Sequence, residues 1–330
     1  MYAVLLAALV ATVSAQYKEK GDCVLIAFGN SLTDNGKSDK CEDRFGIQRY
    51  SEGPTWPEYL VDMLGCDDIR VMANSGGLSG QGNIGFGGWS GTAWQVDQYL
   101  RPFLHSQIPS NHIVAMEPGA VNDFCLVADA LREGKPIPAR APNTNAKRMQ
   151  DLVDGIVENS INGVRKMLQR GLKNLIFFDI FAFQQFAPFA NEKKFLPFRA
   201  DYIDALTKAN QQFRSKIAAL GQQYPDVKIG YVNLDGFWQA AVQKYPNHVE
   251  PFTYEKEGLK RGDQDTFIWF DSWHMLTGPH HMVAEFAFRA WQNAKKGGSS
   301  YPPQSNGYPA YQPNTGYPQN NAYQQPTAWI

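Results

Sequence analysis

Five short apolar runs, each separated from the next by an amphipathic stretch, constrain this chain more than any other feature of it. They are VLIAF at Val24–Phe28, RVMAN around Val71, HIVAM at His112–Met116, NLIFFDI at Asn174–Ile180 and VKIGYVNL at Val227–Leu234. None alternates apolar with polar residues, and unbroken runs of this length are how strands covered on both faces read. Helical periodicity fills Pro54–Leu64, Thr92–Leu104, Gln150–Arg170, Ala200–Gly221 and Thr277–Asn293. Pro57 falls in a first turn, where its missing N–H is no loss. Strand–helix alternation predicts an α/β fold, a three-layer α/β/α sandwich around a five-stranded parallel sheet.

In such sheets the chemistry sits just beyond the carboxyl ends of the strands. After the first run comes Phe28-Gly29-Asn30-Ser31-Leu32-Thr33-Asp34, and after the second Asn74-Ser75-Gly76-Gly77. After the third comes Gly119-Ala120-Val121-Asn122-Asp123, and before the last helix Asp271-Ser272-Trp273-His274. A hydroxyl, a glycine turn, an amide and an Asp-x-x-His pair therefore arrive from four segments. Acyl transfer needs this set. A serine hydroxyl is a weak nucleophile until a base takes its proton, and an imidazole does so near neutral pH. Asp271 is placed to hold the Nδ1 side of His274 while Nε2 faces Ser31. Backbone N–H groups of Ser31 and Gly77, with the side-chain amide of Asn122, are placed to receive the negative oxygen of a tetrahedral intermediate. Each residue taken alone is more often a cap or a turn former; the ordered set is the signal.

These blocks resemble those of the GDSL or SGNH hydrolase superfamily. Its Gly-Asp-Ser-Leu-Ser-Asp-x-Gly block corresponds to Gly29–Gly36, its second-block glycine to Gly77 with Gly76 beside it, its Gly-x-Asn-Asp to Gly119–Asp123 and its Asp-x-x-His-Pro-Thr to Asp271–Thr277. The resemblance spans roughly Cys23–Asn293. It implies a flavodoxin-like SGNH fold and a serine carboxylic-ester hydrolase. It also implies Ser31 as nucleophile, His274 as base, Asp271 as its orienter and Ser31, Gly77 and Asn122 as oxyanion donors. Asn30 stands where the family has Asp, the third block is one residue longer, and Met275-Leu276 replaces the proline. No metal and no organic cofactor is expected. Short acyl esters, such as acetyl groups on polysaccharide, are the first substrate reading and lipid acyl groups the second. A catalytically silent carbohydrate-binding protein of the same fold is the reading from another class.

Gly80-Gln81-Gly82-Asn83-Ile84-Gly85 matches G-x-G-x-x-G. A dinucleotide site needs that pattern after the first strand, opening a helix; here it follows the second. The loop is expected to run past the site beside Trp89 and Trp94, which are candidate substrate-lining residues. Phe181, Phe183, Phe186, Phe189, Phe195 and Phe198 crowd one loop after the fourth run, read first as a local apolar cluster and second as an apolar wall for an acyl group or a lipid-facing lid.

The ends differ from the middle. Tyr2–Val13 is apolar and closes on Val13-Ser14-Ala15, which suits a signal peptide over residues 1–15, cut before Gln16, and hence a secreted protein. Residues 16–296 are then the catalytic domain. From Gly297 to Ile330 there is no charged residue but repeated Tyr, Pro, Gln and Asn, the composition of a disordered tail whose partner the sequence does not name. With 31 basic and 32 acidic residues, nothing draws the chain to nucleic acid, and no stretch is long enough for an integral membrane anchor. The sheet places Cys23 and Cys66 at its amino-end face and Cys41 and Cys125 at the other. Disulfides Cys23–Cys66 and Cys41–Cys125 are therefore predicted.

Overall fold

A computed structural model describes residues 21–36, 49–85, 88–181, 196–252 and 263–297. The predicted signal peptide and tail, with Cys41, Phe183, Phe186, Phe189 and Phe195, lie outside the described residues. Five strands, β1 (Gly21–Phe28), β2 (Cys66–Val71), β3 (His112–Met116), β4 (Asn174–Phe178) and β5 (Lys228–Val232), form one sheet in the order β2-β1-β3-β4-β5. Every neighbouring pair in it is parallel. Around it lie α1 (Trp56–Leu64), α2 (Thr92–Leu100), α3 (Val121–Glu133), α4 (Val153–Gln169), α5 (Arg199–Gln223), α6 (Leu234–Lys244) and α7 (Thr277–Lys295). Helix α1 packs on α7, while α4 packs on α2 and α5. This is the predicted α/β sandwich with a five-stranded parallel sheet.

The apolar runs are buried as their composition demands. Leu25–Phe28, Val114–Met116 and Leu175–Phe178 have no exposed surface. Each large side chain so buried contributes roughly 2–3 kcal/mol, and truncating Phe177 to Ala would cost about 3–5 kcal/mol. Connections from β1 run to β2 on one side, and the chain returns through β3 on the other. The order therefore reverses between β1 and β3, which is where an open parallel sheet leaves a crevice. Phe28 and Met116 are paired across that boundary, so Ser31 and Asn122 leave the sheet side by side.

Some elements depart from expectation. Strand β2 begins at Cys66 and ends at Val71, earlier than the RVMAN run suggests. It is an edge strand, and its exposed Asp67 and Asp68 hide the apolar signal. Helix α2 stops at Leu100 and tightens into a 3-10 turn over Arg101–Phe103, as Pro102 requires. Helices α3 and α6 were not predicted, nor was the small parallel pair β6 (Asn247–Pro251) and β7 (Phe267–Trp269). Asn122-Asp123 read as turn chemistry in the sequence, yet they open α3.

Cys23 and Cys66 are bonded, with an S–S distance of 2.09 Å and Cα atoms 4.6 Å apart. Cys125 is buried on α3; the Cys41–Cys125 prediction falls on a residue outside those described. Among the described residues, no helix is long and apolar enough to cross a membrane.

Candidate active site

The chain leaves β1 at Gly29, where a side chain has no room: a Cβ there would meet Glu117 Oε2 at 2.5 Å. Asn30 then turns the backbone. Its Oδ1 accepts from Leu32 N at 2.9 Å, and its carbonyl accepts from Thr33 N at 3.0 Å and Asp34 N at 2.9 Å. This is an Asx turn followed by a tight backbone turn, and it presents Ser31 at its apex. Asn30 therefore performs the acceptor role in the turn that a carboxylate would perform at this position.

His274 and Asp271 lie between β7 and α7. The Nδ1 of His274 is 2.8 Å from Asp271 Oδ1 and 2.7 Å from Oδ2, and its Nε2 is 2.8 Å from Ser31 Oγ. Asp271 Oδ1 also accepts from the backbone of Trp273 at 2.7 Å and of His274 at 2.8 Å. Burial pushes the Asp271 carboxyl up, but the imidazole beside it and these N–H donors outweigh burial and hold it below its ordinary value. The loop is closed by Phe270 N donating to His274 O at 2.8 Å and Leu276 N donating to Ile268 O at 2.9 Å. The extra residue of Met275-Leu276 is absorbed by antiparallel pairing of Met275 with Trp269. The Asp271–His274 spacing is untouched by it.

The other two blocks close the site. Asn122, in the first turn of α3, donates from Nδ2 to Gly77 O at 2.9 Å. The N–H of Gly77 is itself committed to Asn74 O at 3.0 Å. It is Gly76, in the left-handed region at φ 73°, that borders the cleft. The cleft holds about 160 Å³ and is lined by residues including Ser31, Tyr50, Ser75, Gly76, Asn122 and His274, with Leu32, Val121 and Trp273 supplying apolar wall. Trp89 and Trp94 pack against one another with ring centroids 6.0 Å apart and do not line this cleft. Among the described residues the aromatic lining is Tyr50 and Trp273 instead.

Beneath the cleft a buried polar layer ties the strand ends together. Gly29 N donates to Gln95 Oε1 at 3.0 Å, and Gln95 Nε2 donates back to Gly29 O at 2.8 Å. Glu117 accepts from Asn30 N and from Gly119 N, both at 3.0 Å. Asp123 accepts from Ser79 N at 2.8 Å and Ser79 Oγ at 3.0 Å. Burial pushes the Glu117 and Asp123 carboxyls each up to about 7 against the pull of these donors. The glycines at 80–85 close a loop through Leu78 N to Gly82 O at 3.0 Å and Ile84 N to Gly76 O at 2.8 Å. They open no helix, so the dinucleotide pattern is accidental.

Sequence reasoning did not single out Tyr50, Glu52, Gln95 or Glu117. Tyr50 stacks on His274, and Glu52 accepts from Thr277 N at 3.0 and 3.2 Å. That bond supplies the α7 amino terminus with a cap from a distant segment. Both sit in RYSEGP, which carries no motif of its own.

A hydroxyl, an imidazole and a carboxylate in line at the carboxyl edge of a parallel sheet are what a serine-dependent acyl hydrolase requires. The family model for GDSL-like Lipase/Acylhydrolase matches residues 25–287. The chain belongs to that family and is a carboxylic-ester hydrolase. Among solved structures it is similar to a carbohydrate acetylesterase from Sinorhizobium meliloti, at 10% identity over 83% of this chain and 97% of that one, with a TM-score of 0.43. An M. smegmatis aryl esterase is similar at 13% identity over 83% and 99%, with a TM-score of 0.42. An acetyl-xylooligosaccharide esterase from Geobacillus Stearmophilus is similar at 14% identity over 83% and 95%, with a TM-score of 0.39. Among curated proteins none matches the chain.

Proposed function

We propose that this hydrolase is secreted and cleaves short acyl esters, acetyl groups on carbohydrate first among them, through Ser31, His274 and Asp271. The observation that carries this reading is the unbroken line from Asp271 through His274 to Ser31 Oγ. In the first half-reaction Ser31 Oγ bonds to the ester carbonyl carbon, its proton passes to His274 Nε2, and the carbonyl electron pair moves onto oxygen. Ser31, Gly76 and Asn122 all line the cleft, and their backbone N–H groups and side-chain amide are the donors assigned to that oxygen. Collapse expels the alcohol, which takes the proton from His274. Water then repeats the sequence on the acyl-enzyme and frees Ser31.

Acyl size is argued from the cleft. A space of about 160 Å³ has room for an acetyl group at the serine. Trp273 offers a face on which a sugar ring can lie. Secretion is argued from the apolar leader and from the Cys23–Cys66 bond, which persists in oxidising compartments.

A fluorophosphonate probe with mass-spectrometric site mapping should label Ser31. A p-nitrophenyl ester series should then fall in kcat/KM as the acyl chain lengthens from acetate. A clear preference for long chains would reject the short-acyl reading in favour of a lipid substrate. Sequencing the mature amino terminus checks secretion, with Gln16 as the expected first residue.

A further inference from the structure

The ring of Tyr50 lies over the imidazole of His274, with centroids 4.2 Å apart and planes inclined by only 19°. The two hydrogen bonds of His274 are both at its edges, Nδ1 to Asp271 and Nε2 to Ser31. Edge bonds leave the ring free to rock about the line joining them; a stacked face removes that freedom. The arrangement is built, because the segment carrying Tyr50 is anchored on both sides. Arg49 pairs with Glu58 at 2.6 Å and donates from Nε to Asn35 O at 3.4 Å. Glu52 binds the first N–H of α7, and a Cβ on Gly53 would meet Thr277 Cβ at 2.8 Å. Ser75, whose backbone N–H is held by Asp34 at 3.0 Å, lines the same cleft as Tyr50. Tyr50 thus stacks on the base and shares one cleft with the loop bearing Gly76.

We propose that Tyr50 is a positioning residue for His274: its ring sets the angle at which Nε2 meets Ser31 Oγ and steadies the imidazolium formed when the serine proton arrives. The proposal rests on the serine-esterase reading above. An aromatic face over a cation is attractive, and more so in a partly desolvated cleft. The neutral imidazole of the resting enzyme gains less from the same face, so the stack favours the transition state over the ground state. Its loss should therefore appear in kcat rather than in KM.

The test compares the full chain with Tyr50→Phe and Tyr50→Leu, using p-nitrophenyl acetate turnover, the rate of fluorophosphonate labelling and thermal melting. Tyr50→Phe keeps the ring and should retain kcat within about 3-fold. Tyr50→Leu should lower kcat about 10- to 100-fold with KM within about 3-fold, and should slow labelling in parallel. Where Leu lowers the melting temperature strongly, Tyr50→Met fills the space without a π face and carries the same expectation. The proposal is overturned if Leu or Met keeps kcat near wild type, if the loss falls on KM, or if Phe loses as much as Leu. A wild-type chain that neither turns over the ester nor labels at Ser31 removes the esterase reading and the proposal together. Wild-type activity with an unaffected Leu variant removes the proposal alone.

Discussion

Glu117 Oε2 takes the backbone N–H of Asn30 at 3.0 Å, one residue before Ser31. The other oxygen takes Gly119 N at 3.0 Å, so one buried carboxyl joins the loop after β1 to the loop after β3. Burial raises its pKa from 4.5 to about 7. The folded chain then holds a proton that the unfolded chain releases between those values, so stability falls as pH rises through that window, by on the order of 3 kcal/mol from this group. Asp123, raised to about 7, and Asp34 and Asp179, each raised to about 6 by burial, act in the same direction. Glu117→Gln removes one titration, so its stability should change less than wild type between about pH 5 and about pH 8. The Gln amide places a donor against a backbone N–H, which should also cost about 1–3 kcal/mol. Urea unfolding at both pH values reads both effects; a pH dependence equal to wild type would clear Glu117 of the role.

Asp271→Asn leaves the shape of the turn but cannot accept from both His274 Nδ1 and two backbone donors as a charged group does. Its kcat should fall about 10⁴-fold with KM little changed, by the reasoning that ties a triad carboxylate to the imidazole tautomer. Ser31→Ala should lose about 10⁴–10⁶ in kcat. Steady-state kinetics on p-nitrophenyl acetate check both.

Asn122→Ala removes the amide that both bonds Gly77 O and lines the cleft. A loss of about 10²–10³ in kcat is expected. A loss below tenfold would leave the oxygen to the backbone donors of Ser31 and Gly76 alone.

Cys23 and Cys66 sit at the amino ends of β1 and β2, the edge of the sheet away from Ser31. Cys23→Ser/Cys66→Ser should therefore lower unfolding free energy by about 2–4 kcal/mol while kcat at room temperature stays within about twofold. Denaturant unfolding and kinetics on the same preparation separate the two effects.

What the sequence disclosed depended on how local each signal was. Ser31, Asn122, Asp271 and His274 were legible because strand–helix alternation says where strands end, and chemistry-bearing residues stood there. Gly76 and Gly77 could not be told apart without the backbone, since only the turn onto Asn74 O decides which amide is committed. Helix α3 was hidden because its opening Asn122-Asp123 carries turn chemistry, and the early start of β2 at Cys66 because an edge strand wears charge. Tyr50, Glu52 and Glu117 were silent for a different reason. Their partners lie 224, 225 and 87 residues away, and neither periodicity nor spacing encodes contacts of that range. The paired Trp89 and Trp94 drew notice by proximity in sequence, whereas the aromatic wall of the cleft came from Tyr50 and Trp273, far apart in the chain.

The Cys23–Cys66 bond closes a covalent ring of chain, and that ring contains both Ser31 and Tyr50. A protease cutting once anywhere inside the ring would leave two fragments that still travel as one molecule, with nucleophile and stacking ring each tethered to the sheet. After such a cut the hydrolase would persist as a nicked form visible only after reduction on a gel.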